Sequence, residues 1–449
     1  MKKIINYIPL LSLMIVLLFS CEEVLEVELD DEIRTTEAIT DIISLRSAVT
    51  GLYDVLQSGS YYGGEFILAQ ALTGGIADAT GFQESYAQLD NAIVPTSSTY
   101  LESNWVDVYA TVNASNLILD KIVELDLEDP ESEGAALFFR ALGTFDALRQ
   151  FGQFTDTSSD FGVPISTYFL DSETALTVER SSVAASYDQI ISDLNDAIDL
   201  LGFDDNKLLV SRGTAEALLA RVYLYQGDYM MAEQLATDVI NNNDYELNTD
   251  YNDIYDEEQS LEAIFELQFL ATDGNNLTSL LSASPPEVSA NFSDFFDVMD
   301  ADNDPRSFRY FDDGRIVFVD KYGTSNTDLE GNAILLKLSE MYLIRAEARA
   351  RLTPEDLTNA LEDLNVVRTR SLSSQPIEAI DVPDFDSFVD VLLEERSREL
   401  AFEGHRWFDI VRLGQAESIL GIASFRTVYP IPQREITISN GSIVQNPGY

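Results

Sequence analysis

Cysteine and histidine are almost absent from this chain of 449 residues, since each occurs only once, as Cys21 and His405. A single cysteine allows no intrachain disulfide bond. A single histidine excludes metalloenzymes of the HExxH type and any metal site built on a histidine pair. No glycine-rich loop with a lysine is present to hold a phosphate group. The sequence therefore predicts no metal site and no cofactor, and we expect His405 to have a structural role.

Basic residues are also scarce. The chain has 27 lysines and arginines against 78 aspartates and glutamates, which gives a net charge of −51. Such a surface repels nucleic acid and anionic lipid, so neither is expected as a partner. Because 45% of the residues are hydrophobic and 10% are aromatic, we expect a globular protein rather than a disordered acidic tail.

The apolar run at the N-terminus, Ile8 to Phe19, is too short to cross a bilayer and follows two lysines. It leads into Leu18-Phe19-Ser20-Cys21, a bacterial lipobox. We therefore predict that residues 1–20 are a lipoprotein signal peptide and that Cys21 carries a lipid, which would anchor the protein to a membrane. Residues 21–40 begin with many acidic side chains and are predicted to form an acidic tether.

Helical periodicity dominates the rest of the chain. Apolar residues recur three or four apart through residues 183–201, which predicts an amphipathic helix. A helix rich in small residues, a turn at Gly227 and a second helix are typical of a tetratricopeptide hairpin. Further predicted helices are 41–57, the pair 105–125 and 132–151, the pair 336–351 and 354–370, and 385–403.

Two segments between the helices have a different character. Residues 58–100 are rich in Gly, Ser, Thr and Tyr, and residues 244–332 combine turn clusters with strand-like runs at 263–269 and 315–322. Long irregular insertions in a compact domain are often functional. The predicted fold is therefore mainly α, a tetratricopeptide-like scaffold of helical hairpins in a single domain, residues 41–449. The two insertions would form an irregular ligand-binding subdomain with a few short strands.

Several blocks of the chain are typical of one family. They are LLEERSRELAFEGHRWFDIVRLG (Leu392 to Gly414), YPIPQREI (Tyr429 to Ile436) and the final QNPGY, with LLKLSEMYLIRAEARARL (Leu335 to Leu352) before them. In this order the blocks resemble the SusD/RagB family of surface glycan-binding lipoproteins. The resemblance extends over nearly all of the mature chain but is weak in residues 58–100 and 270–300.

The resemblance implies a non-enzymatic lipoprotein of the outer membrane that faces the cell exterior. Such a protein captures an oligosaccharide and delivers it to a SusC-like TonB-dependent transporter, over which it acts as a lid. The acidic balance of this chain favours a neutral glycan.

Candidate ligand-binding residues come from the two insertions. Sugars present apolar faces that stack on aromatic rings, and polar side chains bind their hydroxyl groups. In the family, the region after the first long helix supplies stacking aromatics and polar groups, and a later loop faces it. On that basis the predicted ligand-binding residues are Asp78, Phe82, Gln83, Tyr86, Asn275 and Asn276, with Tyr61 and Tyr62 as candidates for either the site or the core.

Two other functions remain open from the sequence. A RagB-like protein of a peptide importer would bind peptides, and an acidic surface would suit cationic ones. A surface glycoside hydrolase would use two carboxylates, but with 78 of them a pair in the sequence identifies nothing.

Overall fold

The computed structural model divides the chain into two compact units, Met1–Thr40 and Asp41–Tyr449. The predicted signal peptide and Cys21 lie outside the described residues. The residues described are 37–270, 274–282, 287–291, 295–297, 299, 304–312, 317–322, 331–354, 357–371 and 376–449.

The second unit is mainly helical, as predicted, with a few short strands. Among the described residues, every helix is too short or too polar to span a bilayer. The α-helices are α1 (Ile42–Leu56), α2 (Glu65–Thr73), α3 (Glu84–Asp90), α4 (Thr99–Glu124), α5 (Pro130–Phe151), α6 (Val183–Leu200), α7 (Arg212–Gln226), α8 (Tyr229–Ile240), α9 (Asp253–Asp256), α10 (Asn276–Ser282), α11 (Leu338–Leu352), α12 (Thr358–Ser371), α13 (Phe385–Glu399), α14 (Arg406–Arg412), α15 (Ala416–Leu420) and α16 (Gln433–Ile438).

The hairpin predicted around Gly227 shows why these residues form helices. Ser211 caps α7 by accepting a hydrogen bond from the backbone N–H of Thr214, whose side chain in turn accepts from the cap residue. Gly227 ends α7 in the left-handed region at φ 91°, where a residue without a Cβ is favoured. Asp228 then caps α8. The C-cap of α7 is therefore followed directly by the N-cap of α8, and the chain reverses at this point.

The scaffold is a succession of helices that pack on their neighbours. Contacts join α4 to α5, α5 to α6, α6 to α7 and α7 to α8, and then α8 to α11 and α11 to α12. Close approach depends on small residues: a Cβ on Gly143 of α5 would lie 2.9 Å from Cγ2 of Val112 in α4. Because α11 packs on α8, the helical succession continues across the second insertion.

Two antiparallel sheets belong to the insertions. The strands are β1 (Ala77–Ala79), β2 (Ala263–Leu267), β3 (Val288–Ala290), β4 (Tyr310–Asp312), β5 (Val317–Val319) and β6 (Ala333–Lys337). One sheet has the order β1-β3-β5-β4, and the other pairs β2 with β6. Since β1 comes from the first insertion and β3 from the second, this sheet joins the two insertions.

Some predicted boundaries were wrong. Residues 58–100 contain α2 and α3 and the start of α4, which begins at Thr99 rather than at residue 105. The helix predicted from residue 336 begins at Leu338, because Ala333–Lys337 forms β6. The helix predicted for 385–403 ends at Glu399.

A buried ionic network attaches the second insertion to the scaffold. Arg306 contacts Asp304 at 2.8 Å, Glu395 at 2.8 Å and Glu399 at 3.0 Å, and all four side chains are fully buried. Nζ of Lys321 lies 2.8 Å from Oε1 of Glu403. Since Glu395 and Glu399 belong to α13, and Glu403 follows that helix, the C-terminal motif holds the sheet of the insertion in place.

The same motif contains buried ion pairs among aromatic residues. Nε of Arg396 lies 2.8 Å from Oδ2 of Asp409, and Nη2 of Arg412 lies 2.9 Å from Oδ1 of the same residue. His405 is buried, and burial together with nearby arginines holds its pKa well below the usual value. His405 is therefore a neutral core residue.

Candidate functional site

A cavity of about 430 Å³ lies beside β1, where the two insertions meet the C-terminal motif. Asp78 reaches it from β1, Asn291 from the residue after β3, and Arg406 from the first position of α14. Ala77 lines the same cavity and is buried, whereas Asp78 is half-buried.

The polar groups of the cavity are held by hydrogen bonds. Nδ2 of Asn291 donates to Oδ1 of Asp78 at 2.9 Å. The carboxylate of Asp90, at the end of α3, accepts a hydrogen bond from the backbone N–H of Ala79 at 3.1 Å. Burial raises the pKa of Asp90, and the nearby charge of Asp78 raises it further, whereas the hydrogen bond from Ala79 lowers it. The net effect is a raised pKa. The cavity thus has two neighbouring carboxylates with fixed orientation.

Arg406 supplies a positive group to the same wall. Its Nε donates to the carbonyl oxygen of Gly74 at 3.3 Å. The arginine side chain lies directly over this glycine, since a Cβ there would be 2.5 Å from Cγ of Arg406. An adjoining cavity of about 230 Å³ shares Phe295, Ser397 and Arg406 with the first. The two cavities therefore lie side by side, and together they are called the cleft.

Phe82 lies four residues after Asp78, in the loop between β1 and α3. Its side chain is fully exposed, with 104% of the reference accessibility. The loop is held by the second insertion, because the backbone N–H groups of Thr80 and Gly81 donate to the carbonyl oxygen of Glu287 at 3.0 and 3.1 Å. The ring is thus presented to solvent from a fixed backbone.

Two of the predicted amide side chains are also exposed. Gln83 precedes α3 as its cap residue, without a capping hydrogen bond from its side chain. Asn276 begins α10, and its side chain lies over a turn of the first insertion that contains Gly59 and Gly64. A Cβ built on either glycine would be 3.3 Å from Nδ2 of Asn276. The structure therefore places the second insertion against the first at this point.

Four predicted site residues are buried, and this corrects the sequence-based prediction. Tyr61 and Tyr62 are 0% and 4% exposed, and their hydroxyl groups donate to Oδ2 of Asp146 at 2.5 and 2.9 Å. Tyr86 is 3% exposed, and its hydroxyl donates to Oε1 of Glu65 at 3.0 Å. These rings have no free face for a sugar, so we remove the three tyrosines from the candidate site.

Asn275 is the fourth of these residues. It is fully buried, with Nδ2 donating to the carbonyl oxygen of Gly331 at 2.6 Å and Oδ1 accepting from the N–H of Leu277 at 2.9 Å. Both ends of the amide already have partners inside the protein. Asn275 therefore fixes the start of α10 and is also removed from the site.

Sequence reasoning missed Asp90, Asn291 and Arg406. The C-terminal block that contains Arg406, Leu392 to Gly414, was interpreted only as a whole. Asn291 has no local signal, because β3 brings it to Asp78 from more than 200 residues away. In the part of the chain that the structure describes, no group of three or more His, Cys, Asp or Glu side chains forms a possible metal site.

Comparison with known families gave two matches. Residues 23–224 match a model described as SusD-like, "Starch-binding associating with outer membrane", and residues 292–424 match the SusD family model. SusD-like protein P38 of Formosa agariphila is 26% identical to this chain, over 99% of this chain and 98% of its own length.

Solved structures share the fold. A SusD superfamily protein from Bacteroides thetaiotaomicron superposes with a TM-score of 0.80 at 25% identity, covering 91% of this chain and 100% of its own. Surface glycan-binding protein A from the same species, solved in complex with laminarihexaose, has a TM-score of 0.73 at 20% identity, covering 91% of this chain and 100% of its own. These matches show that the chain belongs to the SusD/RagB family, one model of which is described as starch-binding and associated with the outer membrane.

Proposed function

We propose that this protein captures a neutral oligosaccharide in the cleft beside Asp78 and does not cleave it. The observation that carries the proposal is an exposed aromatic ring, Phe82, on a fixed loop four residues from a polar cavity. The ring would stack on the apolar face of one sugar residue, and Asp78, Asn291 and Arg406 would bind hydroxyl groups of the next. Gln83, next to Phe82, would add a contact, whereas Asn276 lies over the turn at Gly59 and Gly64 and lines neither cavity.

Charge and fold favour a neutral glycan. Asp78 and Asp90 lie together in the cavity, and the whole chain carries a net charge of −51, so a polyanionic glycan would be repelled. Surface glycan-binding protein A shares this fold and binds laminarihexaose, a neutral hexasaccharide. Stacking and hydroxyl contacts of this kind suit micromolar to millimolar affinity, roughly −4 to −8 kcal/mol.

Calorimetric titration of the chain starting at residue 22 tests this proposal. The ligands would be laminarihexaose, maltohexaose, an anionic glycan and a cationic peptide. We expect saturable binding of a neutral glycan that weakens at least about five-fold in Phe82→Ala, because a stacked ring contributes about 1 kcal/mol. Tyr168→Ala is the matched control, since Tyr168 is also an exposed aromatic residue, but its backbone binds Asn116 of α4 rather than the second insertion. Equal affinity in both variants would refute the site.

A peptide ligand is the second candidate. The two carboxylates of the cleft, Asp78 and Asp90, would pair with a lysine or arginine side chain of a peptide. Saturable binding of the cationic peptide alone, lost in Asp78→Asn, would replace the glycan as the ligand and leave the location of the site unchanged.

The same carboxylates make hydrolysis a testable alternative. A glycosidase needs one protonated and one ionised carboxyl group, and the pKa of Asp90 is raised while Asp78 accepts from Asn291. We propose binding without cleavage. Incubation with labelled laminarihexaose and maltohexaose should therefore release no shorter product, and release that stops in Asp90→Asn would show an enzyme.

We further propose that a lipid on Cys21 anchors the protein to the outer membrane, facing outwards, and that the protein delivers its glycan to a SusC-like TonB-dependent transporter as its lid. Family membership and the lipobox support this part of the proposal. Cys21→Ala should move the protein from the membrane fraction to the soluble fraction. A pull-down from outer membranes that recovers no TonB-dependent transporter would refute the delivery role.

A further inference from the structure

A second cavity, of about 290 Å³, shares no residue with the cleft beside Asp78. It lies between α1, the start of α5 and the loop that connects α6 with α7. Its lining includes Arg46, Tyr53, Asp129, Phe203 and Leu209. Nothing in the scaffold requires an open cavity with this mixture of aromatic and polar side chains.

Phe203 forms an aromatic platform at the rim. Its ring is 56% exposed although its size would favour burial. The guanidinium carbon of Arg212 lies 5.3 Å from the ring centroid, within the range of a cation–π contact. Arg212 is itself held by Glu216, with Nε donating to Oε1 at 2.8 Å. One side of the ring is thus fixed from within the protein, and more than half of its surface remains available to a ligand.

A fixed polar pair forms another wall. Nε and Nη2 of Arg46 donate to the two carboxylate oxygens of Asp129 at 2.8 and 3.1 Å. Ser132 donates to the same carboxylate at 2.8 Å. Because Arg46 is 64% exposed, the outer N–H groups of its guanidinium face solvent while the pairing keeps its plane in place.

Tyr53 contributes a hydroxyl group with unused capacity. Its oxygen accepts a hydrogen bond from the backbone N–H of Val210 at 3.0 Å. Burial raises the pKa of Tyr53 to about 12, so the hydroxyl is protonated at neutral pH. Among the described residues, none accepts that proton, and Tyr53 lines the cavity. The proton is therefore available to an acceptor that enters the cavity.

We propose that this cavity is a second saccharide-binding site, with Phe203 as the stacking platform. The open side of the Phe203 ring provides an apolar surface for the apolar face of a pyranose. The guanidinium–carboxylate pair and the tyrosine hydroxyl provide hydrogen-bond donors for its hydroxyl oxygens. Asp129 and Asp204 make the cavity acidic, so the ligand is a neutral sugar.

Two sites on one chain have a consequence for long glycans. A polymer held at one site is present at high effective concentration at the other, so avidity exceeds the affinity of either site alone. The residues that line this cavity are separate from those of the cleft beside Asp78, and the two sites share only the class of ligand.

The test uses the chain starting at residue 22, which contains the whole compact unit Asp41–Tyr449. In the Asp78→Ala/Phe82→Ala background the first cleft is disabled, and the variant is titrated with laminarihexaose and maltohexaose at millimolar concentration. We expect residual binding of one saccharide per chain that weakens at least about five-fold when Phe203→Ala is added. Adding Tyr168→Ala instead should change nothing, since Tyr168 has the same 56% exposure and lines neither cavity.

The outcomes distinguish the two sites. Binding to the wild-type chain that disappears entirely in the double variant would overturn the second site and leave the first. Residual binding that Phe203→Ala does not weaken would also overturn it. Binding that is lost in Phe203→Ala but unchanged in Phe82→Ala would support the second site and refute the first. A wild-type chain that binds neither saccharide would refute both as sites for neutral glucans.

Discussion

Removal of the Tyr61 hydroxyl group tests whether the buried pair Tyr61 and Tyr62 stabilises the fold or binds the ligand. In the structure this hydroxyl donates to Oδ2 of Asp146 at 2.5 Å, inside the core. Burial, and then the charge of Asp146, raise the pKa of Tyr61 well above its usual value, so the group remains a donor. Tyr61→Phe deletes one hydrogen bond and keeps the ring.

The expected loss can be worked out from the partners that remain. A hydrogen bond to a charged group contributes about 1.5–3 kcal/mol to stability. Asp146 is not left unpaired, because Tyr62 still donates to it at 2.9 Å and Arg149 pairs with it at 2.5 Å. We therefore expect the free energy of unfolding to fall by about 1.5–3 kcal/mol, without the further penalty of an isolated buried charge.

Urea unfolding of Tyr61→Phe measures this loss as a lower midpoint with an unchanged slope. Tyr168→Phe is the control, since its exposed hydroxyl has no hydrogen-bond partner among the described residues, and its midpoint should not change. Saccharide affinity, measured by calorimetry, should stay within about two-fold in both variants, because neither ring contacts the cleft. Wild-type stability combined with a several-fold loss of affinity in Tyr61→Phe would refute this reasoning.

Three further predictions follow from tight packing and buried charge. Gly81→Ala places a Cβ 1.6 Å from Oε2 and 3.2 Å from Cα of Glu287, so the Glu287 side chain must rotate away and the loop of Phe82 must move by a few tenths of an ångström; glycan affinity should then fall in calorimetry, whereas Gly51→Ala, with nothing within 4 Å of the new Cβ, should leave affinity unchanged. Arg306→Met removes the shared partner of three buried carboxylates and should lower the free energy of unfolding by about 3–5 kcal/mol in urea titration; a loss below 1 kcal/mol would contradict a buried network. Burial alone would raise the pKa of Glu403, but two paired lysines hold it below its usual value, so the stability it contributes is complete above about pH 4.5 and is lost as the pH falls through the lowered pKa. Unfolding of Glu403→Gln should therefore depend less on pH between about 5 and 3 than unfolding of the wild type, and identical slopes would contradict the assignment.

The clearest helical period in the sequence belongs to a helix that faces solvent on one side, although the long and almost fully buried α5 was predicted as well. Residues 183–201 show a clear apolar period, and α6 occupies Val183–Leu200. By contrast, α2 was missed because eight of its nine residues are buried, so no polar stripe marks a helical period. For the same reason β6 was merged into α11: five consecutive buried residues have no alternation that would identify a strand.

The candidate site was predictable only where its parts are local. Asp78 and Phe82 come from one short segment, in which the family resemblance implied stacking aromatics and polar groups. Asn291 and Arg406 reach the same cleft through β-sheet pairing and through α14, and no spacing in the chain indicates these contacts. Burial of Tyr61 and Tyr62 was equally hidden, because it depends on Asp146, more than 80 residues away.

The strongest family resemblance lies in residues that hold the site rather than in residues that face a ligand. Glu395, Glu399 and Glu403 pair with the cations of the second insertion, and Arg406 binds the backbone at Gly74 of the first. A substitution in this motif would loosen both insertions whatever the ligand, whereas Phe82 and Phe203 can change without disturbing any buried contact of the scaffold. Family membership therefore follows from the motif, while the identity of the glycan depends on exposed residues that the motif supports but does not specify.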